Sequence, residues 1–157
     1  MLHLFPVILS NYKPEWKEIF QKEKKIIEKA VGKTNIVRMS HIGSTAVTGL
    51  MAKPTIDILL EIQNDTDIHG LIFDMQSCGY LYDAQPDNPP PHMKFMKGYT
   101  PEGYKGQAFH VHIRYTGDWD ELYFRDYLIA HPDVAAKYVK LKIELRKNMS
   151  STGIPTP

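Results

Sequence analysis

The apolar residues of this chain switch between two spacings, and the switches mark out its elements. Trp16, Ile19, Phe20, Ile26, Ile27, Ala30 and Val31 recur at a period near 3.6, with Lys22, Glu23, Lys24, Lys25, Glu28 and Lys29 mostly opposite. That spacing predicts an amphipathic helix with Pro14 in its first turn and Gly32 at its close. Ile36 to Met39 begins a short strand running into His41-Ile42-Gly43-Ser44, and breaks follow at Thr48-Gly49 and Lys53-Pro54. From Thr55 to Ile62 the period is two, yet both faces carry apolar residues, which predicts a central strand covered on both sides. Ile68, Leu71, Ile72 and Met75 return to helical spacing and end at Gly79. Tyr80-Leu81-Tyr82 and His92 to Lys97 read as strands around the proline-rich loop Pro86 to Pro91. A Gly- and Pro-rich connection from Gly98 to Gly106 precedes the strictly alternating strand Ala108 to Tyr115. Two helices finish the pattern. The first is opened by an Asp118/Glu121 capping box and carries Leu122, Phe124, Tyr127 and Leu128; the second starts at Pro132, with Val134, Tyr138, Leu141 and Leu145 on one face.

Two positions do not fit a packing account. Asp57 stands between Ile56 and Ile58 in the driest strand, and a carboxylate there needs a cation, a metal or several donors. Glu61, four residues on and roughly 13 Å along an extended strand, is too distant to share one ion with it. The second anomaly is the row His110, His112 and Arg114, which alternates with Phe109, Val111, Ile113 and Tyr115. Such a row supplies groups that bind metals, phosphates or carboxylates. Gly43 adds a place where backbone N–H groups and the Ser44 hydroxyl can approach a phosphate. Lys53, Lys94 and Arg114 are the candidate phosphate partners, since they lie beside or on the same strands.

Composition narrows the setting more than the chemistry. At 157 residues one domain is expected, spanning residues 1–149 with a loose tail over 150–157. The formal net charge of +1 gives no bulk attraction to nucleic acid or to a membrane surface. Cys78 is the sole cysteine, so no disulfide forms within the chain, and it is expected to pack as a small apolar residue. Together with the lack of a recognisable leader or membrane span, this places the protein in the cytoplasm as an expectation.

Four runs in order, His41-Ile42-Gly43-Ser44-Thr45-Ala46-Val47, Lys53-Pro54-Thr55-Ile56-Asp57-Ile58, His110-Val111-His112 and Phe124-Arg125-Asp126-Tyr127-Leu128, resemble the GrpB family. That family also occurs as a domain appended to some bacterial dephospho-CoA kinases and belongs to the nucleotidyltransferase-fold superfamily. The resemblance runs from about Asn11 to Leu141, with Thr48 where the family usually has proline. It implies an α+β fold, a nucleotidyltransferase-like mixed β-sheet with helices packed against it. It also implies that a nucleotide or other phosphorylated small molecule binds at Gly43-Ser44, opposite metal-binding acids. Asp57 matches the first acid of that site, Leu59 stands where the second belongs, and the third falls in the His110-Val111-His112 run. Asp57, His110 and His112 are thereby the implied catalytic and metal-binding set. A divalent cofactor, Mg, Mn or Zn, is expected, and since one Asp with two His is softer than the oxygen set Mg²⁺ prefers, the set suits Mn or Zn better. Metal-dependent nucleotidyl transfer is one implied activity. The alternative is a non-catalytic module that binds a ligand or assists a partner.

Overall fold

The structure, a computed structural model, describes residues 8–151. The first helix, α1 (Glu15–Val31), carries Glu15 and Glu18 in its first turn, next to the helix N-terminus that favours negative charge, and ends where Gly32 takes φ 88°. Strand β1 (Ile36–Ile42) leads to a single 3-10 turn at Ser44–Ala46 and then to β2 (Thr55–Ile62). Helix α2 (Ile68–Ser77), β3 (Leu81–Ala84), β4 (Met93–Thr100) and β5 (Gly103–Tyr115) follow, and α3 (Asp120–Ala130) and α4 (Pro132–Ser151) complete the order. The sheet runs β1-β2-β5-β4-β3. Only β2 and β5 are parallel; the other neighbours are antiparallel, so the sheet is mixed. The α+β class expected from the sequence is what forms.

Strand alternation divides the side chains between two faces. Ile56, Ile58, Leu60, Phe109, Val111, Ile113 and Phe95 pack with Trp16, Phe20 and Ile27 of α1 and Leu71 and Met75 of α2, forming the main core. The opposite face carries Asp57, Leu59, Glu61, His110, His112 and Arg114, and α3 and α4 lie beside it. A smaller cluster of Val47, Leu50, Leu128 and Ala135 joins these two helices to the loop after Ser44. Every residue of β2 is buried except Asp57, as its two-sided apolar pattern requires.

Several details differ from the pattern-based expectation, each for a physical reason. Glu23 is buried within the apolar stripe of α1 because Lys97 of β4 meets it at 2.9 Å, whereas Ile26 is half exposed. The stretch from Gly98 to Gly106 is mostly paired strand, turned at Pro101-Glu102, because its glycines serve a bulge as well as a turn. No capping box opens α3: Trp119 is its N-cap without a side-chain bond, and Glu121 is engaged by Arg114 instead. On α3 only Leu128 is buried, and Leu141 and Leu145 of α4 stand exposed, since no further layer covers them among the described residues. Helix α4 continues through Ser150 and Ser151, and the rest of the expected tail lies outside the described residues. Cys78 is half-buried, its thiol donating to the Met75 carbonyl.

Candidate functional site

The β1–β2 register sets the site. Ile42 pairs with Asp57, so the next residue, Gly43, lies against the Asp57 side chain. The contact is close enough that a Cβ on Gly43, which holds φ 75°, would come within 2.8 Å of Asp57 Oδ2. Only glycine fits both the conformation and the space. The loop is also pinned from behind. The Thr45 hydroxyl donates to the Thr55 carbonyl at 3.1 Å and therefore accepts from His41 Nε2–H at 2.9 Å, which fixes the His41 tautomer. His41 also stacks on Phe20, with ring centroids 5.0 Å apart. Burial is the main cause lowering its pKa to about 4, so the ring is neutral near pH 7.

Parallel pairing of β2 with β5 places His110 beside Asp57 and His112 one pleat further. Both rings face one carboxylate oxygen, His110 Nδ1 at 3.5 Å and His112 Nε2 at 3.6 Å from Asp57 Oδ1. Burial works to raise the Asp57 pKa, but hydrogen bonding and charge from His110 and His112 outweigh it and hold the carboxyl at about 2. On the far side of His110, Nε2 lies 2.6 Å from the Tyr99 hydroxyl. Burial, with a contribution from Tyr104, raises that phenol to about 12, so it stays a neutral donor. The chain Tyr99, His110, Asp57 thus gives His110 an orientation and a preferred tautomer.

Tyr99 reaches this face through an irregularity. Uninterrupted alternation from Lys97 would send Tyr99 toward α1, but the β4–β5 register shifts between Lys97 and Tyr99. Between the Lys97–Phe109 and Tyr99–Tyr104 pairs β4 has the single residue Gly98, at φ 94°, against Lys105 to Ala108 on β5, and a Cβ on Gly98 would sit 2.6 Å from the Gln107 carbonyl. The left-handed backbone at Gly98 breaks the alternation of β4, and Tyr99 meets His110 on the polar face.

Of the phosphate partners expected from the sequence, Ser44 is at the centre. Its Oγ accepts from Lys142 Nζ of α4 at 3.0 Å, a contact across 98 residues. Burial lowers the Lys142 pKa, the Asp57 charge opposes that shift and the Lys53 charge adds to it. Lys94 shares the face, paired in register with His112, and approaches Asp83 at 3.8 Å. Arg114 is at the other end of β5, buried, donating to the Ile113 carbonyl and pairing with Glu121 at 3.4 Å. Glu61, fully buried, pairs with Arg38 and takes no part in the Asp57 cluster. Lys142, Tyr99, Thr45 and His41 are the site residues that spacing did not reveal. Lys142 is one lysine on a helix with several, and Tyr99 carries only the faint signal of the glycine before it.

The sequence from residue 6 to residue 154 matches the family model described as GrpB protein. The chain belongs to the GrpB family. Among curated relatives, the Glutamate-rich protein GrpB of Alkalihalophilus pseudofirmus is 35% identical over 88% of this chain and 80% of its own length. The UPF0157 protein YqkA of Bacillus subtilis is 32% identical over 92% of this chain, which spans only 42% of that longer protein. The crystal structure of conserved protein GrpB from Enterococcus faecalis superposes with a TM-score of 0.77 at 30% identity, covering 91% of this chain and 85% of that one. These relatives bear out the GrpB resemblance and the mixed α+β fold, and their names state no ligand. Among the described residues no helix is long and apolar enough to cross a membrane.

Proposed function

We propose that the protein binds a phosphorylated small molecule, a nucleotide being the leading class, at the Gly43-Ser44 loop. The observation that carries this reading is the Lys142–Ser44 contact. This half-buried ammonium donates to a neutral hydroxyl and lies over the Tyr138 ring, 4.7 Å from its centroid, with no carboxylate ion-paired to it among the described residues, and an anion seated at the loop supplies a full opposite charge. Lys53 lies near the same rim and adds a second cation for phosphate oxygens. The phosphate's oxygens also match the backbone N–H groups that a glycine-initiated turn presents.

The donor set argues against giving the phosphate to a metal pair. Among the described residues no group of three or more His, Cys, Asp or Glu side chains is spaced around one ion. The position of the second carboxylate is filled by Leu59, fully buried. Binding without nucleotidyl transfer is the activity this arrangement supports best, with Asp57, His110 and His112 acting as a hydrogen-bonded wall of the site.

Isothermal titration with the four ribonucleoside triphosphates, with and without Mg²⁺, Mn²⁺ or Zn²⁺, tests the reading. Ser44→Ala and Lys142→Ala are expected to weaken binding about tenfold or more, the usual scale for a lost charge-assisted contact. Asp57→Asn is expected to leave metal-free binding intact or strengthen it by removing a negative charge. A loss on Asp57→Asn seen only with metal present would instead restore the divalent ion to the site. Folded protein that binds none of these nucleotides would overturn the proposal.

A further inference from the structure

The face that holds Asp57 and His110 continues toward the start of β5 as a cavity of about 240 Å³. Its origin lies in the sequence of side chains on that face. On β5 the cavity is lined by Ala108, Gly106 and Tyr104, in the stretch where the strand's register against β4 shifts. Two small residues followed by an aromatic leave a hollow with a ring at its far wall. Thr55 pairs with Ala108 and supplies the floor from β2, one pleat, roughly 7 Å, before the Asp57–His110 pair. Lys53 and Pro54 also line it, and the Gln107 amide holds them to β5 by donating to the Pro54 carbonyl at 2.7 Å.

Tyr99 joins the hollow to the polar cluster. Its hydroxyl meets His110, and its ring lies 5.2 Å from that of Tyr104, which it faces in register. The hollow is smaller than the roughly 300–1,000 Å³ of sites that enclose a whole drug-sized ligand. It is sized for one part of a ligand, and its walls are mostly apolar and aromatic. Lys53, shared between the cavity and the Lys142 rim, marks the side from which a phosphate-bearing part would extend.

Resting on the phosphate reading of Ser44 and Lys142, we infer that the cavity between Tyr104, Gly106, Ala108 and Thr55 receives a planar ring carried by the phosphorylated ligand, with Tyr104 as its stacking surface. This assigns the ligand class as a ring-bearing phosphate compound such as a nucleotide, and excludes inorganic polyphosphate as the best ligand. Base–aromatic stacking corresponds to a factor of roughly five to a hundred in affinity. That factor is what the ring site contributes.

The test compares three kinds of probe by isothermal titration: the four ribonucleoside triphosphates, inorganic tripolyphosphate and the free nucleosides. The wild-type protein is expected to bind at least one nucleoside triphosphate about tenfold more tightly than tripolyphosphate. Tyr104→Leu removes that advantage and leaves tripolyphosphate binding unchanged, whereas Tyr104→Phe keeps most of it. Ala108→Val, which fills the cavity with a residue suited to a strand, has the same effect as Tyr104→Leu without touching Tyr104. Equal affinity for nucleotide and tripolyphosphate in the wild type, or an advantage that survives both Tyr104→Leu and Ala108→Val, overturns the ring site while the phosphate reading stands. Binding of a nucleoside that depends on Tyr104, with no binding of tripolyphosphate, overturns the phosphate reading and retains the ring. Absence of binding by every probe overturns both. Circular dichroism melting of each variant shows that the fold is intact.

Discussion

His41 illustrates how a single side chain ties the loop to the sheet. Its neutral Nε2–H donates to Thr45, whose hydroxyl holds β2 at Thr55, so protonating the ring adds a charge to a partly buried stack against Phe20. Its pKa is lowered in the folded chain to about 4, against 6.5 as the reference value. Between these two values the unfolded chain binds more protons, so folding stability falls as pH drops through that window. The loss is about 3 kcal/mol at most, because the ring is not fully buried. Urea titrations at several pH values from 7.5 to 4.5 should show this slope, and His41→Gln should flatten it. Asp57, held at about 2, loses its own contribution only below its ordinary value near 3.8, outside that range.

At the level of elements, the β1–β2 pair rests on one ion pair as well as on its ladder. Glu61 is fully buried and Arg38 half exposed, the guanidinium meeting the carboxylate with two nitrogens. Arg38→Ala leaves the carboxylate buried and alone, at an expected cost of about 2–3 kcal/mol. Denaturant titration should also show Arg38→Leu combined with Glu61→Leu to be less damaging than Arg38→Ala, since two apolar residues leave no uncompensated charge. These elements were largely legible in the sequence, because β2 and β5 declare themselves by unbroken period-two patterns and α1 by its stripe. Asp57, His110 and His112 were legible too, as polar residues breaking or lining those patterns. What escaped was whatever depended on a partner distant in the chain. Glu23 looked solvated until Lys97 was placed opposite it. Lys142 had no distinguishing neighbour, and a capping box at Asp118 had the right spacing but lost Glu121 to Arg114.

Across the whole molecule the sheet separates two unequal apolar clusters. The larger, under α1 and α2, contains the fully buried Ile56, Ile58 and Val111; the smaller joins α3 and α4 to the loop after Ser44. Few buried contacts hold α4, and Leu141 and Leu145 on it remain half exposed. Amide hydrogen exchange should therefore be faster throughout α3 and α4 than in β2 and β5. A ligand that engages both Ser44 and Lys142 should slow exchange in the middle of α4, and equal protection of the two layers without ligand would contradict this division. The bulge at Gly98 has a consequence for chain length. Because a strand alternates sides residue by residue, Gly98 acts as a parity bit: regular extended backbone at that position, as Gly98→Val would favour, turns the phenol under α1 and leaves His110 without it, whereas deleting Gly98 keeps the phenol on the His110 side. Insertions at the hairpin tip, Pro101-Glu102, lie beyond the Tyr99–Tyr104 pair and leave that parity untouched. Homologous chains are thus free to vary the length of this tip and still keep Tyr99 against His110, while a change of backbone at Gly98 is barred to them.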